Sequence, residues 1–137
     1  MSGLSAADRS EVAEVVRRAD ERATARDVDG YLALTTEDMT LDGTQGTASG
    51  RANVRRAITA IWAAEPPGTR HLTTDVRVDA TSESTAQVRS TLLLVSGHQQ
   101  DRASGHVVSI SQLLRKMNGR WLIARRTVEE APPTVRP

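Results

Sequence analysis

The stretch Glu65-Pro-Pro-Gly-Thr-Arg-His-Leu-Thr-Thr-Asp-Val-Arg-Val-Asp79 is where the chain changes its period. From Arg51 up to it, Val54, Ala57, Ile58, Ile61 and Trp62 recur at three and four residues, the spacing of one helix face. Pro66-Pro67-Gly68 stops that helix, because proline has no N–H to give and clashes with the preceding turn. Beyond the stop the period is two. Leu72, Thr74, Val76 and Val78 alternate with polar residues, which predicts a strand carrying those four on one face.

Toward the C-terminus the period of two persists. Thr85 to Ser96 carries Val88, Leu92 and Leu94, and further strands are expected from Gly105 to Arg115 and from Arg120 to Val128. Asn118-Gly119 joins the last two, since both central residues of a type I′ turn need positive φ. His98, beside Gly97 and Gln99-Gln100, reads as a turn residue. From Glu129, with Pro132, Pro133 and Pro137, the chain reads as a mobile tail.

Toward the N-terminus the period is helical. Ser5 and Asp8 stand at capping-box spacing before Val12, Val15, Val16, Ala19 and Ala23, so a helix is expected from about Ser5 to Ala25. Asp27 can cap a second, short helix that contains Tyr31, Leu32 and Leu34, that Gly30 weakens, and that Thr35-Thr36 ends. Met39 to Gly43 alternates like a short strand, and Gly43 to Gly50 reads as a turn or loop. The order is helix, helix, strand, helix and then four strands. It implies an α+β domain over residues 1–130, with three helices packed on one face of a strongly curved, mostly antiparallel sheet that encloses a pocket, followed by a flexible tail over 131–137.

Composition removes several classes of function. The net charge of +1 comes from 18 basic and 17 acidic residues mixed along 137 residues, so no basic stripe exists to follow a nucleic-acid backbone. The absence of cysteine excludes disulfides, thiolate catalysis and thiolate metal sites. His71, His98 and His106 are scattered without close acidic partners and match no metal-ligand spacing. No glycine-rich phosphate motif occurs, so neither a metal nor a nucleotide cofactor is expected. No stretch approaches the roughly 20 apolar residues of a membrane span, and no signal segment opens the chain, so no membrane partner and a cytoplasmic location are expected.

Several short landmarks carry a family resemblance. They are Arg26-Asp27-Val28-Asp29-Gly30-Tyr31, Thr36-Glu37-Asp38-Met39, Gly50-Arg51-Ala52-Asn53-Val54, Arg70-His71-Leu72 and Asn118-Gly119-Arg120-Trp121. In this order, from about Ser5 to Glu129, the chain resembles the SnoaL-like polyketide cyclases, whose cone-shaped α+β fold is shared with ketosteroid isomerase, scytalone dehydratase and nuclear transport factor 2. The resemblance implies the fold and a small hydrophobic ligand, but it does not select a reaction, because one fold hosts many chemistries.

The candidate site residues follow from that resemblance. In dehydratases of the family a histidine at the start of the strand after the third helix faces the cavity, which corresponds to His71. A neutral imidazole can take or give a proton near pH 7. His106 follows Gly105 on a strand with Val108 and Ile110, one residue out of phase with the Gly-His pair of scytalone dehydratase. Asp42 is the nearest general-base candidate on the first strand, although Gly43 holds the isomerase aspartate position. The dehydratase acid position in the first helix is Thr24, so His71 lacks the usual orienting carboxylate, for which Asp20 and Asp75 are the substitutes considered. Tyr31, Met39, Trp62 and Arg125 are the expected substrate contacts, with Arg125 and Arg126 facing opposite ways on the last strand.

Two functions fit these residues. One is a cofactor-independent lyase, isomerase or cyclase that acts by acid/base chemistry on an apolar, oxygenated, polyketide- or steroid-like substrate. The other is a non-catalytic ligand-binding or dimerisation domain of the same fold. In either case apolar residues on both faces of strands such as Arg89 to Val95 predict a homodimer through the sheet.

Overall fold

A computed structural model of the chain describes residues 3–44, 46–96 and 104–130. The turn expected around His98 and the tail over 131–137 lie outside the described residues.

Ser5 opens the first helix by accepting the Asp8 amide on its Oγ at 3.0 Å, and α1 runs Ala6–Ala25. The Asp8 carboxylate does not close the box back onto Ser5. It accepts instead from Trp121 Nε1 at 3.0 Å and Lys116 Nζ at 3.1 Å, which ties the start of the helix to the last hairpin. Arg26 ends α1 in the left-handed conformation, φ 58°, where glycine is usual. Asp27 then caps α2 (Val28–Leu32) by accepting the Gly30 amide at 2.9 Å. Gly30 is needed there, because a Cβ would stand 2.3 Å from the Asp27 carboxylate.

The strands are β1 (Thr35–Gly43), β2 (Gly46–Ser49), β3 (Arg70–Ala80), β4 (Thr85–Ser96), β5 (Ser104–Met117) and β6 (Arg120–Glu130), with α3 (Arg51–Ala64) between β2 and β3. They form one sheet in the order β2-β1-β6-β5-β4-β3, in which only the β1–β6 pair is parallel. Asn118 and Gly119 hold φ 52° and 78°, as the hairpin signal requires. Two expectations are corrected at this level. The segment expected as a turn or loop between Gly43 and Gly50 contains β2, and Glu129 and Glu130, expected to open the tail, continue β6.

A third correction concerns which side chains face inward. On β3 the register shifts between Thr74 and Arg77, and Asp75 adopts φ 54°. Such a bulge adds one residue to one strand and reverses the facing beyond it. His71 and Thr73 therefore share the inner face with Val76 and Val78, while Leu72 and Thr74 are exposed. A second shift separates the Leu113–Arg125 pair from the Leu114–Ile123 pair, leaving Ala124 as the extra residue of β6. Ile123 and Arg126 thus both face inward.

The apolar interior has two parts. The larger packs Val12, Val16 and Ala19 of α1 and Val54 of α3 against Met39, Leu114, Trp121 and Ile123 of the sheet. Each fully buried aliphatic side chain of this kind contributes about 1.5–3 kcal/mol. The smaller joins Leu92, Val108 and Ile110, with Leu94 and Val128 against them.

Candidate active site

A cavity of about 220 Å³ lies between these two apolar clusters. Ile58, Ile61 and Trp62 of α3 form one wall, and Leu92, Leu94 and Val108 of the sheet form the other. Seven polar side chains also border it: Asp20, Tyr31, Thr44, Glu65, His71, His106 and Arg126.

His71 is buried, with 7% exposure. Its backbone is fixed to α1, since its N–H donates to Thr24 Oγ1 at 2.8 Å and Thr24 returns a bond to its carbonyl at 3.4 Å. Its ring meets Trp62 edge-on at 6.5 Å, and Trp62 meets Tyr31 in the same way at 5.8 Å. Nε2 lies 3.0 Å from Glu65 Oε1. That oxygen also accepts from the Arg26 guanidinium at 2.9 Å, so the ends of α1 and α3 and the start of β3 meet in one ionic cluster. A carboxylate accepts only, so the Nε2–H tautomer satisfies this bond and leaves a lone pair on Nδ1. Nδ1 is buried and has no partner among the described residues.

The carboxylate that orients His71 is thus Glu65, a residue absent from the sequence-based candidates. Neither proposed substitute fills that place. Asp75 sits in the exposed bulge and pairs with Arg77 at 3.5 Å, whereas Asp20 faces Arg126. The available signal was the turn itself: Pro66-Pro67-Gly68 folds β3 back so sharply that the residue before the prolines lies beside the residue at the strand start.

Arg126 holds the second polar cluster. It is buried, and its Nη1 lies 3.3 Å from Asp20 Oδ1, while Thr73 donates to Asp20 Oδ2 at 2.5 Å. Burial opposes the guanidinium charge, but Tyr31 and Asp20 beside it outweigh that and hold its pKa above the usual arginine value. Burial pushes the Tyr31 phenol up, with Arg126 acting against the shift and Asp20 adding to it.

The other expected site residues divide. Tyr31, Trp62 and His106 border the cavity. His106 faces Leu94 across β4 and β5, and Leu94 faces His71 across β3 and β4. Two strand spacings, about 10 Å, therefore separate the two histidines along one inner row. Met39 does not border the cavity: it is sealed in the larger apolar cluster at 0% exposure. Asp42 lies elsewhere too, accepting from Arg125 Nε at 2.7 Å, Thr47 at 3.0 Å and Thr127 at 3.2 Å. The Arg125 hydrogen bond is the chief cause that lowers its pKa, the wrong direction for a base poised near neutrality. Arg125 is held there with it. The bulge at Ala124 turns Arg126, not Arg125, into the cone.

Comparison with known proteins bears on this geometry. The model of the SnoaL-like domain matches residues 5–127. A protein of unknown function with a cystatin-like fold from Nostoc punctiforme superposes with a TM-score of 0.84 at 26% identity, over 94% of this chain and 95% of that one. A provisionally assigned scytalone dehydratase from Novosphingobium aromaticivorans gives 0.79 at 19% identity, over 95% and 90%. A provisionally assigned dehydratase of the nuclear transport factor 2-like family from Streptomyces avermitilis gives 0.79 at 18%, over 93% and 98%. The last two likenesses concern the fold alone. Among curated proteins none matches this chain.

Proposed function

This chain belongs to the SnoaL-like domain family, and from that premise we propose that it is a cofactor-independent acid/base enzyme, a lyase, isomerase or cyclase, with His71 as the group that moves the proton. The observation that carries this reading is the buried His71–Glu65 contact of 3.0 Å in the cavity wall. Glu65 holds Nε2–H, so Nδ1 is the basic atom. A neutral imidazole takes a proton from carbon beside a ligand carbonyl, leaving an enolate. Returning that proton to another carbon gives an isomer; passing it to a departing hydroxyl gives an alkene and water. Glu65 is a positioning residue, which fixes the tautomer and stabilises the imidazolium once formed. His106, on the same inner row, stands where it can reach the far end of a ligand.

Deuterium incorporation into the α-carbons of cyclohexanone and phenylacetone in deuterium oxide tests the reading without knowledge of the natural substrate. The protein should accelerate exchange well above buffer, and Ile61→Trp, which fills the cavity from the exposed α3 side, should abolish the acceleration. Exchange no faster than in buffer would sink the enzyme reading.

A second reading has its own observation. The Arg26–Glu65–His71 cluster joins three element ends, which stabilises a binding domain whether or not protons move. On the same footing we propose a homodimer through the outer face of the sheet, where Leu72, Leu93 and Val107 are register neighbours and both Leu72 and Val107 are exposed.

A further inference from the structure

The inner face of β6 carries a charge that acid/base chemistry at His71 does not use. Arg126 is 8% exposed and borders the cavity, yet among the described residues its guanidinium makes one hydrogen bond, to Asp20 at 3.3 Å. A guanidinium has five N–H donors in a planar fork. Its buried position is a built feature, since the extra residue Ala124 turns it inward. Gln112 stands opposite it in register on β5, 1% exposed, with neither its amide nitrogen nor its amide oxygen partnered among the described residues. Buried polar groups are ordinarily satisfied. Arg126 therefore forms a polar end of the cavity with bonding capacity left open, and Gln112 lies behind it, outside the lining.

We propose that Arg126 binds the carboxylate of a small carboxylic acid whose apolar body lies against Ile58, Leu92 and Val108. The inference deepens the acid/base reading by naming the substrate class, and rests on it for the identity of the cavity as the ligand site. Three observations bear on the ligand, the first of which selects the carboxylate. First, one N–H is committed to Asp20, so the remaining edge offers paired donors, which match a carboxylate in a bidentate contact. Second, both carboxylates that border the cavity are already partnered, Glu65 by Arg26 from outside the lining and Asp20 by Arg126 itself, so neither faces a ligand uncompensated. Thr73 further offsets Asp20 by donating to its other oxygen. Third, a cavity of about 220 Å³ falls below the roughly 300–1,000 Å³ of pockets for drug-sized ligands. It suits one ring or a short chain in place of four fused rings.

Calorimetric titration with benzoate and its neutral analogue benzamide tests the inference. Removing Arg126 alone would leave Asp20 buried and unpaired, so the informative variant is the double change Asp20→Asn with Arg126→Gln, checked for folding by its melting temperature. Arg126→Lys keeps the charge for Asp20 but loses the fork. The wild-type protein should prefer benzoate over benzamide by at least tenfold. The double variant should lose that preference, and Arg126→Lys should lose most of it. Equal affinity for the two probes, no binding of benzoate at millimolar concentration, or a preference that survives in the folded double variant would each overturn the inference. Benzoate has no acidic C–H beside its carboxyl, so its titration reads binding alone. A protein that binds benzoate through Arg126 but exchanges no ketone fails only the acid/base reading. One that exchanges ketones without preferring benzoate fails only this one.

Discussion

Glu65 shares one carboxylate oxygen between His71 Nε2 and Arg26, and each partner constrains the other. Arg26 occupies a left-handed position where any side chain costs about 1–2 kcal/mol, and its bonds to Glu65 and to the Ala23 carbonyl at 2.8 Å offset that strain. Glu65→Gln keeps the volume but removes the charge. Hydrogen bonds to charged groups are worth about 1.5–3 kcal/mol, so exchange per folded molecule should fall by roughly 10- to 100-fold if Glu65 positions and stabilises an imidazolium. An unchanged rate per folded molecule, with only the melting temperature lowered, would make Glu65 a fastener. Tyr31, the one tyrosine of the chain, offers a second check on the interior. Burial raises its folded-state pKa, so the stability it contributes is complete below its unfolded pKa of about 10 and is lost as pH rises through the higher folded value. A spectrophotometric titration should show tyrosinate only above the ordinary range and together with loss of near-ultraviolet dichroism. Reversible ionisation at the ordinary value in a folded protein would place Tyr31 in contact with water.

Elements differ in how plainly residues announce them. Helices were legible because their signals are local: Ser5 and Asp27 cap them, and Pro66-Pro67-Gly68 stops the third. The Asn118-Gly119 hairpin was legible for the same reason. Gly119 holds φ 78° with open space around it, so Gly119→Ala pays for conformation alone; the cost should be about 1 kcal/mol and the melting temperature should fall by roughly 4 °C. Gly3→Ala, at a position with open space and no positive φ, should leave the melting temperature unchanged. Equal melting temperatures for the two variants would contradict the turn assignment. Strand facing was not legible beyond the bulges at Asp75 and Ala124, because pairing with the neighbouring strand decides where an extra residue goes, and alternation carries no mark of it. That is why Leu72 and Thr74 were expected beside Val76, and why Arg125 was expected where Arg126 stands. Glu65 is not legible as a partner of His71 for a related reason: their contact is made by a turn, and the two residues share no periodic face.

At the scale of the molecule, the sheet is covered by helices on one face only, and Leu72, Leu93 and Val107 run as a row across β3, β4 and β5 on the other. Light scattering at micromolar concentration should return twice the 14.8 kDa chain mass, and Val107→Lys should halve it; a monomer in the unmodified protein would remove the dimer. The inner face decides the larger question, whether the cone performs chemistry or only holds a ligand. The His71→Gln variant tests this most directly, through its α-carbon deuterium exchange rate per folded molecule, with its melting temperature measured alongside. The acid/base account predicts a fold kept intact and a rate lowered by roughly 10²- to 10⁴-fold, the contribution of a positioned proton-transfer group. A variant that melts several degrees lower yet exchanges as fast per folded molecule as the unmodified protein would contradict it.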